Sequence, residues 1–214
     1  RHDWLAGFAS GLARDQEEFG ITLLGGDTGA GLLSVTVTAF GFVPQGQMVK
    51  RSGARAGDAV YVTGTIGDSG GGLALLKGQG PDLDEASRAN LLSRYQVPQP
   101  PVSFAAPLRA IAHAAADISD GLIADLGHIA SASGVRIIVE SERIPLSASV
   151  KALWGGDAAL SAATAGDDYQ IAFTAPPGLT GPFSQIGRVD AGQGVSFTRG
   201  GKEIAVLKPG YRHF

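Results

Sequence analysis

The chain has 214 residues, a net charge of −3, 44% hydrophobic and 17% charged residues, and no cysteine. The length allows one large domain or two small ones, and the apolar content supports a sizeable core and excludes global disorder. The acidic balance argues against a general nucleic-acid binder, the lack of cysteine excludes disulfides and thiolate metal sites, and no apolar run reaches the ~20 residues needed to span a bilayer.

The chain opens on Arg1-His2-Asp3-Trp4 without Met, in a helical pattern already under way. Trp4, Leu5, Phe8 and Leu12 share one face, which predicts an amphipathic helix over 3–19 stopped near Gly20. A domain rarely opens in mid-pattern, so the expectation is part of a longer polypeptide. Ile21 to Leu24 reads as a short strand running into Gly25-Gly26-Asp27-Thr28-Gly29. There the glycines permit close backbone approach, and Asp27 and Thr28 offer a carboxylate and a hydroxyl at a strand end. An ordinary Gly-Asp turn explains the same residues. Residues 32–43, rich in β-branched and apolar side chains, predict a long strand.

Residues 44–57 (PQGQMVKRSGARAG) read as a linker and domain boundary with a basic cluster of Lys50, Arg51 and Arg55. The cluster is either a solvated charge run or an Arg fork for polyphosphate. Asp58 to Thr63 predicts a strand, followed by the Gly-rich run 64–72 and a helix over 73–77. Strand, Gly-rich turn and helix is the general plan of a phosphate loop, but neither Gly-Lys-Ser/Thr nor G-x-G-x-x-G spacing is present. A flexible or close-packed turn is the better reading. Helices are predicted over 82–95, 102–114 and 147–153, and strands over 135–140, 171–174, 183–186, 195–197 and 204–207.

Asp117-Ile118-Ser119-Asp120-Gly121-Leu122 stands out in the middle of the chain. An apolar run, 111–116, leads in, and an amphipathic run closed by Gly134 leads out. Asp117, Ser119 and Asp120 therefore fall at a helix N-terminus, where free N–H groups and the helix dipole favour anions. Two carboxylates at such a place make sense with divalent cations between them and a phosphate, because Mg²⁺ takes a few carboxylates plus phosphate and water. A plain N-cap is the alternative. Asp167-Asp168 before the strand at 171 is either a solvated turn or a second cation- or substrate-facing site. His2, His113, His128 and His213 show no metal spacing, and no nucleophile elbow is present.

Five segments taken together resemble the thiamine-monophosphate kinase family, of the aminoimidazole-ribonucleotide-synthetase-like (PurM-like) superfamily. They are Gly25-Gly26-Asp27-Thr28, residues 51–58 (RSGARAGD), residues 117–122 (DISDGL), Gly166-Asp167-Asp168-Tyr169 and residues 210–214 (GYRHF), in the family's order. The resemblance implies an α/β (α+β) fold of two-domain PurM-like architecture, mixed sheets packed with helices, with the N-terminal domain incomplete. Residues 1–50 would be the remainder of an N-terminal ATP- and Mg-binding domain, and residues 55–214 the C-terminal domain. It implies ATP-dependent phosphorylation of thiamine monophosphate to thiamine diphosphate in a cytoplasmic homodimer that binds neither nucleic acid nor membrane. Asp27, Asp117 and Asp120 match Mg²⁺ positions; Gly26, Asp27, Arg51 and Ser119 match ATP positions; Asp167 and Tyr211 match positions facing thiamine phosphate.

The sequence departs from the family pattern in four places. Asp167 replaces a Glu one methylene longer, Gly29 replaces a Thr, Pro100-Pro101 replaces Pro-Arg, and an upstream Asp pair of the metal site is absent. Two other readings fit the residues: another ATP user of the superfamily with a different acceptor, and a ligand-binding chain without turnover.

Overall fold

The computed structural model describes residues 2–211, so Arg1 and the last three residues of the 210–214 segment lie outside the described residues. The chain divides into two compact units, 1–43 and 44–214. The first unit holds α1, His2–Phe19, as its period predicts. The expected strands at 21–24 and 32–43 do not form. A strand needs a ladder partner for its backbone groups, and among the described residues none pairs with these segments. Their apolar side chains lie open, with Leu32 99% and Leu24 86% exposed.

The second unit is a mixed α/β fold around one seven-stranded sheet. Its strands are β1 (Ala59–Thr63), β2 (Ala114–Asp117), β3 (Arg136–Glu140), β4 (Ile171–Ala175), β5 (Phe183–Asp190), β6 (Gly194–Arg199) and β7 (Lys202–Ile204), in the order β2-β4-β1-β5-β3-β6-β7. All pairs are antiparallel except β3 with β6. The helices are α2 (Asp68–Leu76), α3 (Glu85–Gln96), α4 (Ala105–Ile111), α5 (Leu122–Ser133), α6 (Ala148–Trp154) and α7 (Ala158–Thr164).

Alternation along the strands separates two cores. Val60, Val62, Ala172 and Val189 face the larger one, where Ile118, Leu122, Leu126 and Ile129 are fully buried. Ala59, Tyr61, Phe173 and Ala175 face the smaller aromatic one with Phe104. Tyr61 and Phe173 stack at 5.2 Å between ring centroids.

Two boundaries differ from the periodicity. The helix expected over 102–114 ends at Ile111, and Ala114–Asp117 becomes β2, paired with β4 from Ala114↔Thr174 to Asp117↔Ile171. Three successive alanines carry a helix preference but no period, and sheet pairing overrides it. The helix expected from residue 73 begins at Asp68 and runs through three glycines. A Cβ at Gly70 would lie 2.2 Å from the Ala165 Cβ, and one at Gly72 would lie 2.3 Å from the Leu91 carbonyl oxygen. These glycines are therefore packing glycines, placed where α2 meets α3 and the turn after α7. Among the described residues, no helix is long and apolar enough to cross a membrane.

Candidate functional site

β2 ends at the exposed Asp117, and α5 starts at Leu122, so residues 118–121 form the turn between a strand end and a helix N-terminus. Ile118 is fully buried and anchors the turn in the larger core. The turn is organised from within by Asp125, which is 1% exposed. A single oxygen, Asp125 Oδ2, accepts the N–H groups of Ser119 (3.0 Å), Asp120 (3.1 Å) and Gly121 (3.2 Å). Burial outweighs those three bonds and moves the Asp125 carboxyl above the ordinary carboxylate range. The expectation of free N–H donors for an anion at this turn is thus corrected: at Ser119, Asp120 and Gly121 an internal carboxylate already receives them. What Ser119 offers a ligand is its hydroxyl.

Two further segments close on this turn. Asp167 N–H donates to the Ser119 carbonyl (2.9 Å), Tyr169 N–H to the Ile118 carbonyl (2.8 Å), and Ile118 N–H to the Gln170 carbonyl (2.8 Å). Gly166 lies so close that a Cβ there would be 2.4 Å from the Ser119 carbonyl oxygen. From the C-terminal side, Tyr211 N–H donates to the Asp120 carbonyl (2.9 Å). Ser119, Asp120, Asp167 and Tyr211 are brought together in this way, with Asp117 at the adjoining strand end.

Tyr169 belongs to the same rim; the sequence marked it only as part of the 166–169 segment and gave it no role. Its hydroxyl reaches Asp167 Oδ1 at 3.4 Å. Burial first, and then the carboxylates of Asp167, Asp117 and Asp120, hold that hydroxyl above its ordinary range. Asp167 and Tyr169 both have left-handed backbones, with φ of 65° and 50°. Such a conformation costs an L-residue ~1–2 kcal/mol, and two so close together must be held by their surroundings.

Part of that hold comes from Asp168, which is 2% exposed. Its Oδ2 accepts Gly67 N–H (2.7 Å) and its Oδ1 accepts Ser69 N–H (3.2 Å), so this carboxylate caps the Gly-rich helix α2. Burial pushes the Asp168 carboxyl up to about 7, with the neighbouring Asp68 adding to the rise. The Gly-rich run therefore has its own acid at the helix N-terminus, and this favours the close-packed turn over a phosphate loop.

The other residues picked from the sequence lie elsewhere. Gly26 and Asp27 belong to the first unit and are exposed. Asp27 Oδ1 accepts the N–H of the adjacent Thr28 at 2.8 Å. Arg51 is exposed, and its carbonyl accepts the Ser133 hydroxyl (3.2 Å) at the far end of α5. A 12-residue helix is ~18 Å long, so the Arg51 backbone is not part of the rim. His113 is a satisfied residue, with Nδ1 2.9 Å from Asp58 Oδ1. His128, with Asp120 and Asp125, brings ligand atoms within 4.8 Å of one another. The Asp125–His128 spacing of three was the available signal, since it places both on one helix face.

Comparison with known proteins adds the following. Residues 55–200 match the family model described as AIR synthase related protein, C-terminal domain. The thiamine-monophosphate kinase of Salmonella typhimurium is 39% identical over 224 aligned positions, covering 99% of this chain and 69% of that protein. The crystal structure of thiamine-monophosphate kinase from Stenotrophomonas maltophilia K279a superposes with a TM-score of 0.68 at 37% identity, over 76% of this chain and 56% of that one. A solved structure described as AaThiL complexed with AMPPCP and TMP gives 0.68 at 38% identity, over 78% and 54%. The chain thus spans about two thirds of the length of the Salmonella relative and a little over half of the two solved chains.

Proposed function

Because the chain belongs to the thiamine-monophosphate kinase family, we propose that it serves ATP-dependent phosphorylation of thiamine monophosphate to thiamine diphosphate. The observation that supports this most is the convergence of Ser119, Asp120, Asp167 and Tyr211 on one rim, in a family of which one solved structure is described as complexed with AMPPCP and TMP. The proposal includes a cytoplasmic homodimer, as family membership suggests.

The residue types suit the chemistry. A phosphate monoester has a second pKa of about 6, so the attacking oxygen is already ionised at neutral pH and needs no side-chain base. The obstacle is repulsion between two anions. Asp27 matches a Mg²⁺ position of the family in sequence. Asp117 and Asp120 are hard oxygen donors of the kind Mg²⁺ takes, and their charges converge with that of Asp167 on Tyr169. They would hold the cation, which when bound neutralises phosphate charge and aligns donor with acceptor. Gly26 and Arg51 are proposed as further ATP contacts, with the Ser119 hydroxyl.

Asp167 and Tyr211 face the acceptor in this proposal. The thiazolium ring is a cation, so the Asp167 carboxylate attracts it. Stacking on Tyr211 would contribute ~0.5–2 kcal/mol. Asp167, one methylene shorter than the family Glu, reaches less far and is supported by the Tyr169 hydroxyl.

The test is to incubate protein from the complete reading frame with ATP, Mg²⁺ and thiamine monophosphate and to follow thiamine diphosphate by chromatography. Product that disappears when Mg²⁺ is chelated is the expected result. ATP consumption without that product would replace the acceptor, and no turnover would leave a binding protein.

A further inference from the structure

We propose that Asp168 is a positioning residue for the acceptor: by turning inward to cap α2, it holds Asp167 and Tyr169 outward on the rim. The inference rests on the kinase reading above. Three consecutive side chains take opposite parts here. Asp168 is buried, while Asp167 is half-buried and Tyr169 exposed. The Asp168 carboxylate uses each of its two oxygens on a different N–H, from Gly67 at 2.7 Å and Ser69 at 3.2 Å. Two-point attachment fixes the carboxylate plane and with it the direction of the backbone that carries it.

The rest of the loop is pinned at alternate positions. Gly166 has no room for a side chain against the Ser119 carbonyl. The Gln170 side chain accepts from the Thr63 hydroxyl (2.9 Å) and donates to the Gln99 carbonyl (3.1 Å). Between these anchors, Asp167 and Tyr169 adopt left-handed backbones that neither residue type prefers. Their N–H groups bond to Ser119 and Ile118, in the very turn that carries Asp120. Relaxing the Asp168 anchor would let both backbones return to ordinary φ, and the Asp167 carboxylate would leave its place beside the Tyr169 hydroxyl. The anchored loop presents a carboxylate next to an aromatic hydroxyl, a pairing that suits an organic cation carrying a ring. The Gly-rich α2 thereby acquires a part in acceptor recognition without touching the acceptor.

Asp168→Asn keeps the size of the side chain but leaves one good acceptor where two N–H groups need one each. In protein from the complete reading frame, this variant should raise the KM for thiamine monophosphate by about fivefold or more while the KM for ATP stays within about twofold. Amide hydrogen exchange should rise in peptides covering 166–170 and stay unchanged in those covering 59–63. A purely structural role for Asp168 would not split the two KM values. Equal KM values to the parent, a parallel rise in both, or unchanged exchange at 166–170 would each overturn the proposal. Tyr169→Phe is the second variant, because it leaves the core untouched; it should raise the acceptor KM alone, and an unchanged acceptor KM counts against the proposal. If the parent forms no thiamine diphosphate, the kinase reading falls, and the exchange result still decides whether Asp168 holds the loop.

Discussion

Asp125→Ala removes the one oxygen that receives the N–H groups of Ser119, Asp120 and Gly121. A hydrogen bond to a charged group contributes ~1.5–3 kcal/mol and a neutral one about 1. The lower value applies to each bond here, because three donors share a single acceptor oxygen. The loss is then ~3 kcal/mol, since the freed N–H groups of a half-buried turn regain only part of their hydration. For a unit of this size, that lowers the melting temperature by ~6–12 °C. Asp125→Asn keeps a neutral acceptor and should cost about 1 kcal/mol. Circular-dichroism melts at neutral pH measure both. A change of less than ~0.5 kcal/mol for Asp125→Ala would refute the reasoning, because it would mean that the turn is held by its flanking segments alone.

Asp168 makes stability depend on pH. Its folded carboxyl sits at about 7, above the unfolded value, so its stabilising contribution is full below about pH 4 and is lost as pH rises through about 7, at up to ~1.4 kcal/mol per unit. Urea midpoints should fall between about pH 5 and 7.5 in the parent and flatten in Asp168→Asn; a parent profile without that fall contradicts the buried acid. Gly210→Ala places a Cβ 2.4 Å from the Asp120 carbonyl oxygen and 2.7 Å from the Ala124 Cβ, pushing Tyr211 off the turn. Steady-state kinetics should show an acceptor KM raised about tenfold, and an unchanged value removes Tyr211 from the site. Asp117→Asn and Asp120→Asn should each lower turnover roughly 100-fold or more, with melting temperatures near the parent's. Activity within a few-fold of the parent would end their proposed metal role.

What was legible in the sequence follows from how local its cause is. The 117–122 turn and α5 were readable, because an apolar run, two acids and a periodic helix closed by Gly134 lie next to one another in the chain. β2 was not, since Ala114-Ala115-Ala116 has no period and its strand identity comes from Ala172 and Thr174, almost sixty residues away. The strand patterns at 21–24 and 32–43 show the converse, with strong propensity but no ladder partner among the described residues. The site divides in the same way. The short segments shared with a family marked the acids proposed to meet a ligand and Asp168 alike; the reading of Asp168 as a possible ligand-facing acid is corrected by its burial, since Asp168, like Asp125, acts on backbone N–H groups.

A carboxylate that caps leaves little trace in sequence, because the N–H it receives is present at every non-proline position. Asp168 shows why this matters, since its partners Gly67 and Ser69 lie about a hundred residues upstream. The Gly-rich run could be read as a phosphate loop only while its helix N-terminus stayed unassigned. Once Asp168 occupies that place, the glycines are explained by close packing, and the run's bearing on function passes to the loop that Asp168 carries. An acid that is 2% exposed between two left-handed residues is better explained by the placement of those neighbours than by the stability of α2 alone, because an N-cap from the residues just before α2 would have stabilised the helix without straining Asp167 and Tyr169.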